Sequence, residues 1–454
     1  MSFSDSLKLW GFQQVLHYIH KEPQANMEKA VGIARKLAPG EYKHQVDAVE
    51  DVIKDQDSAN HQFVMKILEQ TDEKVFDTFA TNFMMGSLLS AETQKKAKEK
   101  YQCNVPWTIL LDPTTSCNLK CVGCWAAEYG KSLNLSLEEI DSIIEQGKEL
   151  GIYFYIFTGG EPLVRKKDII EICRKHKECE FLMFTNGTLI DEEFADTMLE
   201  LANLVPALSI EGSEETTDAR RGEGCYQKVL KAMDILRARK LPFGVSICYT
   251  AQNYKAVTSE EFVDFIIDKG ALFAWYFHFM PVGNDTSSDL LLSPDQREHV
   301  FRTLRGYRTK KQIFFMDFQN DGQYVGGCIA GGRTYLHINA NGDVEPCVFI
   351  HYSDSNIREK TLIEALQSPL FMAYKEGQPF NQNMLQPCPM LENPKLLREI
   401  VQKTGAASTD ILEQESVEHL CAKCDDYAAA WAPKADELWE EEKAHIAAQS
   451  AQAK

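Results

Sequence analysis

Residues 107–125 read WTILLDPTTSCNLKCVGCW and residues 152–162 read IYFYIFTGGEP. Each is an apolar run of strand length that breaks into a polar turn rich in cysteine or glycine. Between them, Ser136-Leu137-Glu138-Glu139 has the spacing of a capping box, in which serine hydroxyl and glutamate carboxylate serve free amides at a helix start. Ile140, Ile143, Ile144 and Leu150 give that helix one apolar face, and Gly151 ends it. Strand, helix and strand make one βαβ unit. Working outward, residues 181–184, 205–210, 244–250 and 272–280 are further strand-like runs. Helical stretches lie between them, such as 226–239, and 262–267 behind a Thr258…Glu261 box. Six strand–helix units in series imply an α/β fold with a parallel sheet and right-handed crossovers. Six is short of the eight that close a full barrel, so we expect a partial (β/α)6 barrel working at its strand C-termini.

The flanks read differently. Residues 1–104 show helical spacing and no strand pattern, and form an N-terminal helical region. Trp10, Phe12, Phe76, Phe79, Phe83 and the Met84-Met85 pair suit the packed core of a helical cap, or else the lining of an apolar channel over the barrel mouth. The barrel occupies 105–316. Past residue 317 the alternation stops, and 335–338 and 344–350 flank Asn341-Gly342, a two-residue hairpin signal. We assign 317–432 to a cysteine-rich α+β extension and 433–454, after Pro433, to a charged helical tail.

The 454 residues carry 48 Lys and Arg against 67 Asp and Glu, a net charge of −19, so nucleic acid is not expected as a partner. No run approaches the roughly 18 apolar residues of a membrane span, which leaves only peripheral membrane contact open. Met1-Ser2-Phe3-Ser4-Asp5 lacks the basic and apolar regions of a signal peptide, so a cytoplasmic protein is expected, with membrane association as the variant. Thirteen unevenly spaced cysteines in such a chain read as metal ligands or catalytic thiols before disulfides.

Cys117, Cys121 and Cys124 lie within eight residues, with no fourth cysteine or histidine nearby. Three ligands from one loop leave a coordination position open, on zinc or on one iron of a cubane cluster. Cys-x3-Cys-x2-Cys behind the first strand of a six-unit α/β domain resembles the radical S-adenosylmethionine (SAM) enzymes. The resemblance implies that the three thiolates hold a [4Fe–4S] cluster and that SAM chelates the open iron. SAM is then cleaved reductively to a 5′-deoxyadenosyl radical, which abstracts a hydrogen atom. The family carries an aromatic residue before the third cysteine. Here Gly123 stands there and Trp125 follows. The resemblance further implies SAM contacts from Gly159, Gly160 and Glu161 after strand two, Asn186 in Thr185-Asn186-Gly187, Ser209, Arg221, and Val282 in Met280-Pro281-Val282-Gly283-Asn284. Arg220 reads equally well as a solvated-face residue. A reducing partner such as ferredoxin or flavodoxin is implied. No general base or other catalytic side chain is assigned.

Cys328, thirteen residues, Gly342, four residues and Cys347 resemble the opening of a SPASM or twitch extension. Cys388, Cys421 and Cys424 make five thiols where the full extension has seven. The resemblance implies auxiliary [4Fe–4S] chemistry, and five thiols suit one such cluster. Zinc is the competing metal at Cys421-x2-Cys424. Cys103, Cys173, Cys179, Cys225 and Cys248 read as buried small side chains, with Cys248 and Cys225 nearest the barrel mouth. His278, His337 and Tyr276 carry no assigned role.

The overall layout resembles radical SAM proteins proposed to couple lipid alkyl tails, a reaction at C–H bonds that no acid or base ionises. The expected function is therefore hydrogen abstraction from an unactivated C–H bond, for C–C coupling of lipid chains in its sharpest form. One alternative is a peptide maturase of the SPASM type, marked by a winged-helix module within 1–104. Another is a non-catalytic iron–sulfur carrier or scaffold.

Overall fold

The computed structural model describes residues 3–37 and 43–452. Six helices come first: α1 (Phe3–Lys21), α2 (Pro23–Leu37), α3 (Lys43–Lys54), α4 (Ala59–Gln70), α5 (Glu73–Met84) and α6 (Ala91–Tyr101). Among the described residues no strand precedes the barrel.

The barrel then runs β1 (Thr108–Leu111), α7 (Leu137–Glu149), β2 (Phe154–Phe157), α8 (Lys166–Lys175), β3 (Glu180–Thr185), α9 (Glu192–Leu201), β4 (Leu204–Ser209), α10 (Glu214–Arg221), α11 (Cys225–Ala238), β5 (Gly244–Tyr249), α12 (Tyr254–Thr258), α13 (Glu260–Lys269), β6 (Phe273–His278), α14 (Pro294–Tyr307) and β7 (Phe314–Asp317). The six expected strands pair in order and in parallel. The sheet is longer than six at both edges. β7 adds to β6, and β8 (Tyr335–Ile338) returns to pair in parallel with β1, Tyr335 opposite Thr108. β9 (Val344–Glu345) runs antiparallel to β8. The sheet curls far enough for Phe318, just past β7, to meet the Tyr335 ring at 6.1 Å.

Local chemistry fixes the element ends. Ser136 and Glu139 form the capping box of α7 as the sequence predicts. At α13 the cap is Ser259 and not Thr258, whose hydroxyl donates to the Tyr254 carbonyl inside α12. The turn at Asn341-Gly342 is a five-residue connection rather than a two-residue one. The Asn339 side chain accepts from the amides of Asn341 and Asp343, and Pro346, lacking an N–H, follows the two-residue β9 directly.

Beyond β7 the chain adds α15 (Gly322–Val325), α16 (Leu362–Leu366), α17 (Pro369–Gly377), α18 (Pro394–Thr404) and α19 (Val417–Gln452), with a small pair β10 (Tyr352–Ser353) and β11 (Ala407–Ser408). The tail expected from Pro433 is not a helix of its own. It continues α19, which carries Cys421 and Cys424 in its first turns and runs through Pro433.

Side chains alternate across the strands. Ile109, Tyr155, Phe181 and Val245 pack outward with the helices, and Leu110, Ile156 and Leu182 point into the lumen. The N-terminal helices dock at the N-terminal ends of the strands. Lys66 donates to the Ile267 carbonyl at 2.9 Å, Lys74 to Glu200 at 2.5 Å, and Asn82 to Lys177 at 3.0 Å. Carbonyls at or just beyond helix C-termini lack intrahelical donors, and the cap supplies them. The helical region therefore packs at the end opposite the cysteine loop, and Phe76, Phe79 and Phe83 line a cavity there rather than a channel over the barrel mouth.

Candidate active site

The loop behind β1 carries Cys117, Cys121 and Cys124, all half-buried and all lining one large cavity. The Leu119 amide points at the Cys117 sulfur at 3.4 Å, and burial pushes that thiol up against the pull of this donor. Gly159 and Gly160 hold the loop in place from β2. A Cβ on Gly160 would stand 2.3 Å from the Ser116 carbonyl and 2.6 Å from that of Thr115. Glycine is required because two backbones touch. The Glu161 carboxylate is 1% exposed and accepts from Thr185 Oγ1 at 2.7 Å, the Asn186 amide at 2.8 Å and the Leu163 amide at 3.1 Å. Burial pushes this carboxyl up, against the pull of those donors. Oε1 takes two of them and Oε2 one, which leaves Oε2 able to accept once more. The Asn186 side chain turns to Asn118 in the cysteine loop at 2.8 Å.

Ser209 ends β4 at the cavity wall. Two residues on, Glu211 is fully buried and holds both arginines of α10. Arg220 NH1 lies 2.7 Å and Arg221 Nε 2.9 Å from Glu211 Oε1. Arg220 is therefore no solvated-face residue: its side chain is 14% exposed and reaches the Gly123 carbonyl. Val282 is buried and does not reach the cavity, where Phe279 and Met280 of the same segment stand. A Cβ at Gly123 would meet the Phe279 ring at 2.5 Å. The space beside the third cysteine is thus filled from β6.

Trp125 faces the extension instead, edge-on to His337 at 5.7 Å, His351 at 6.0 Å and Phe349 at 6.4 Å. The five extension cysteines gather in a second buried region. The Tyr335 hydroxyl donates to the Cys347 sulfur at 2.7 Å, and Cys328 and Cys388 pack against the same buried cluster. Cys421 joins them around Tyr374, and Cys424 sits beside Cys421 and Glu392. The amides of Met390 and Leu391 both approach the Cys388 sulfur at 3.4 Å.

The model of the radical SAM superfamily matches residues 111–266, and that of an iron–sulfur cluster-binding domain, SPASM, matches residues 328–390. The chain carries a radical SAM domain and a SPASM domain. Its cofactors are accordingly a [4Fe–4S] cluster with SAM and auxiliary iron–sulfur chemistry. An AdoMet-dependent heme synthase of Methanosarcina barkeri is 26% identical over 343 residues, 69% of this chain and 96% of that protein. A cysteine-type anaerobic sulfatase-maturating enzyme of Clostridium perfringens is 28% identical over 169 residues, 33% of this chain and 45% of that one. Streptococcus suis SuiB bound to its precursor peptide SuiA shares the fold at a TM-score of 0.55 and 19% identity, over 74% of this chain and 80% of that one.

The side chains fit these cofactors. In a mononuclear zinc site thiolates stand about 3.8 Å apart. Among the described residues no three of these cysteine sulfurs lie within 4.8 Å of one another. In the extension behind the barrel, burial pushes Cys328 up to about 11 and Cys347 and Cys421 up to about 12. Such thiols ionise when a cation neutralises them. The buried Tyr374 hydroxyl, set among four of them, has no hydrogen-bond partner among the described residues.

Sequence reasoning assigned no role to His337, which joins the two domains. Its ring nitrogens lie 2.9 Å from Asp112 and 2.6 Å from Glu345, and the Tyr129 hydroxyl donates to Glu345 at 2.8 Å. Burial alone would depress this imidazole, but the two carboxylates overcome it and push it up to about 10. The unfolded value is about 6.5. A raised pKa stabilises fully below the unfolded value and is lost as pH rises through the folded one. Urea midpoints are therefore expected to fall between pH 6.5 and 10 in the wild type, and less so in His337→Gln.

Of the other sequence candidates, Cys248 lines the cavity near Arg220, and burial pushes its thiol up to about 11. Cys103, Cys173, Cys179 and Cys225 are buried. Tyr276 points outward, donating to the Val257 carbonyl at 2.8 Å. His278 lines the cavity, and burial and Arg297 push it down to about 3, keeping it neutral.

Proposed function

We propose that the protein is a radical SAM enzyme that abstracts a hydrogen atom from an unactivated C–H bond in a substrate with a long apolar part. The observation that carries this is the cavity. About 750 Å3 of space begins at Cys117, Cys121 and Cys124 and is walled by Leu110, Ile156, Leu182, Phe184, Trp275 and Phe277. Its charged groups stand near its two ends, Glu161, Arg220 and Arg221 by the cysteine loop and Glu180 by the cap. Such a wall binds by excluding water and offers almost no donors or acceptors.

We assign the SAM-binding cluster to Cys117, Cys121 and Cys124, and auxiliary ligation to Cys328, Cys347, Cys388, Cys421 and Cys424. When bound, the cluster and SAM supply one-electron cleavage of a carbon–sulfur bond and hydrogen-atom abstraction. The chain's own residues do the rest. Glu161 offers its spare lone pair to an ammonium group, and Asn186 and Ser209 flank it. Glu211 fixes Arg221, whose remaining donors face the cavity and suit a carboxylate. Phe279 and Met280 offer an apolar face to a purine, in place of Val282. The lumen wall excludes water from a reactive intermediate.

Coupling of two lipid tails draws no support from the relatives named above, which are described as a heme synthase and a sulfatase-maturating enzyme. Those relatives favour a second reading, a maturase of the SPASM type. The wall weighs against it, since a peptide laid there would bury backbone N–H and C=O groups without partners. The six-helix N-terminal region also lacks the sheet of a winged-helix module among the described residues. Anaerobically reconstituted, reduced protein is expected to release more 5′-deoxyadenosine with lipid extract than without it. Stimulation by a peptide and none by lipid extract would favour the maturase.

A further inference from the structure

The cavity does not stop at the barrel's upper half. A closed barrel of parallel strands is normally filled by stacked layers of side chains. Here the wall runs from the cysteine loop past Ser246 to the first residues of β1, β2 and β3, and on to Phe79 and Phe83 of α5. Phe79 is 37% and Phe83 44% exposed, and both line this end of the cavity. Register sets Thr108, Phe154 and Glu180 side by side at this end. Thr108 and Glu180 line the cavity, and Thr108 Oγ1 and Glu180 Oε1, buried at its wall, have no hydrogen-bond partner among the described residues. The other Glu180 oxygen is held by Asn82 of α5 at 3.3 Å. Thr71, just before α5, also lines the cavity and carries a third buried oxygen with no hydrogen-bond partner among the described residues. Unmet polar atoms at one end of an apolar tube are costly unless a ligand or water meets them.

We propose that the lumen opens at the N-terminal ends of the strands and there binds an amphiphile, whose saturated chain runs toward the cysteine loop and whose oxygen-bearing group hydrogen-bonds Thr108 and Glu180 beneath α5. Glu180 is 1% exposed, and burial pushes its carboxyl well up, which favours the protonated form, a donor to a hydroxyl, ether or carbonyl oxygen. Thr108 donates to or accepts from the same group. This inference rests on the proposed function for its chemistry, but its binding site is distinct from the SAM site.

The test uses the full-length, cluster-loaded protein and 1-dodecanol as probe, with dodecane as the arm lacking an oxygen. Calorimetry is expected to show 1-dodecanol binding more tightly than dodecane to the wild type. Glu180→Leu should weaken the alcohol by about five- to tenfold, the size of one or two lost hydrogen bonds, and erase its advantage over dodecane. Thr108→Val, a smaller change, should move it the same way. Ser246→Phe, placed midway up the lumen, should weaken both probes, whereas Ser246→Ala should not. Amide exchange in α5 should slow on adding 1-dodecanol and not on adding SAM. Equal affinity of alcohol and alkane in the wild type, or unchanged affinity in Glu180→Leu and Thr108→Val, would mean that water alone meets these atoms and would overturn the proposal. Unchanged affinity in Ser246→Phe, or no protection of α5, would overturn the route through the lumen. SAM cleavage in the absence of probe reads the proposed function separately: its failure in the wild type would contradict that reading and leave the binding result standing.

Discussion

Protein with Cys117, Cys121 and Cys124 all replaced by alanine is expected to release 5′-deoxyadenosine only at the level of a protein-free control, while keeping its auxiliary iron. The three sulfurs share one loop, pinned by Gly160 against the carbonyls of Thr115 and Ser116 and by Asn186 against Asn118. The extension cysteines are buried in their own cluster of side chains, with Cys347, Cys421 and Cys424 at its core. Loss of the first set should therefore leave the second intact. Iron and sulfide should fall by one cluster's worth and not to zero. Complete loss of iron would mean that the two regions do not load independently, and retained SAM cleavage would remove the cysteine loop from the chemistry.

The largest stability effect is expected from Glu392→Leu. Arg297 of α14 and Glu392 are both fully buried, paired at 2.7 Å. Arg297 also donates to the Tyr427 hydroxyl at 2.9 Å and to Asn320 at 3.0 Å, and lies 4.2 Å over the Trp431 ring. The second Glu392 oxygen accepts the Cys388 amide at 2.7 Å. Removing the carboxylate strands a buried guanidinium, which costs about 3–5 kcal/mol. Replacing both partners, Arg297→Met with Glu392→Leu, should recover much of that, because no charge is left unpaired. Denaturant unfolding measures the cost, and iron analysis should show that auxiliary iron is lost from the single variant. A near-neutral Glu392→Leu would show that the pair does not fasten the extension to the barrel.

The barrel was legible because its helices and strands announce themselves locally. The Ser136…Glu139 box, the apolar face of α7 and the cysteine and glycine turns are all short-range signals. β7 was not legible, and β8 was legible as a hairpin strand but not as a partner of β1. β7 is a four-residue run, and β8 finds its partner β1 more than 200 residues back in the chain. Ser259 displaced Thr258 as a cap because two adjacent hydroxyl residues offer the same signal and only the backbone decides between them. The strand runs are apolar on both faces, so the lumen wall could not be told from the outer core by pattern. That hid the cavity and the inward placement of Glu180. The link from Trp125 through His337 to Asp112 and Glu345 joins residues far apart in sequence, and no local pattern marks it. Glu211 had a signal in hindsight: a lone carboxylate at a strand end, followed nine residues later by two arginines, can hardly avoid pairing.

The central claim is that the loop of Cys117, Cys121 and Cys124 holds a cluster with an iron open to SAM. Its most direct test is electron paramagnetic resonance of the reduced, air-free protein before and after adding SAM. The account predicts that SAM shifts the signal of one cluster, and that this response is absent when the three cysteines are alanine. A wild-type spectrum unchanged by SAM, or zinc in place of iron in that loop, would contradict it.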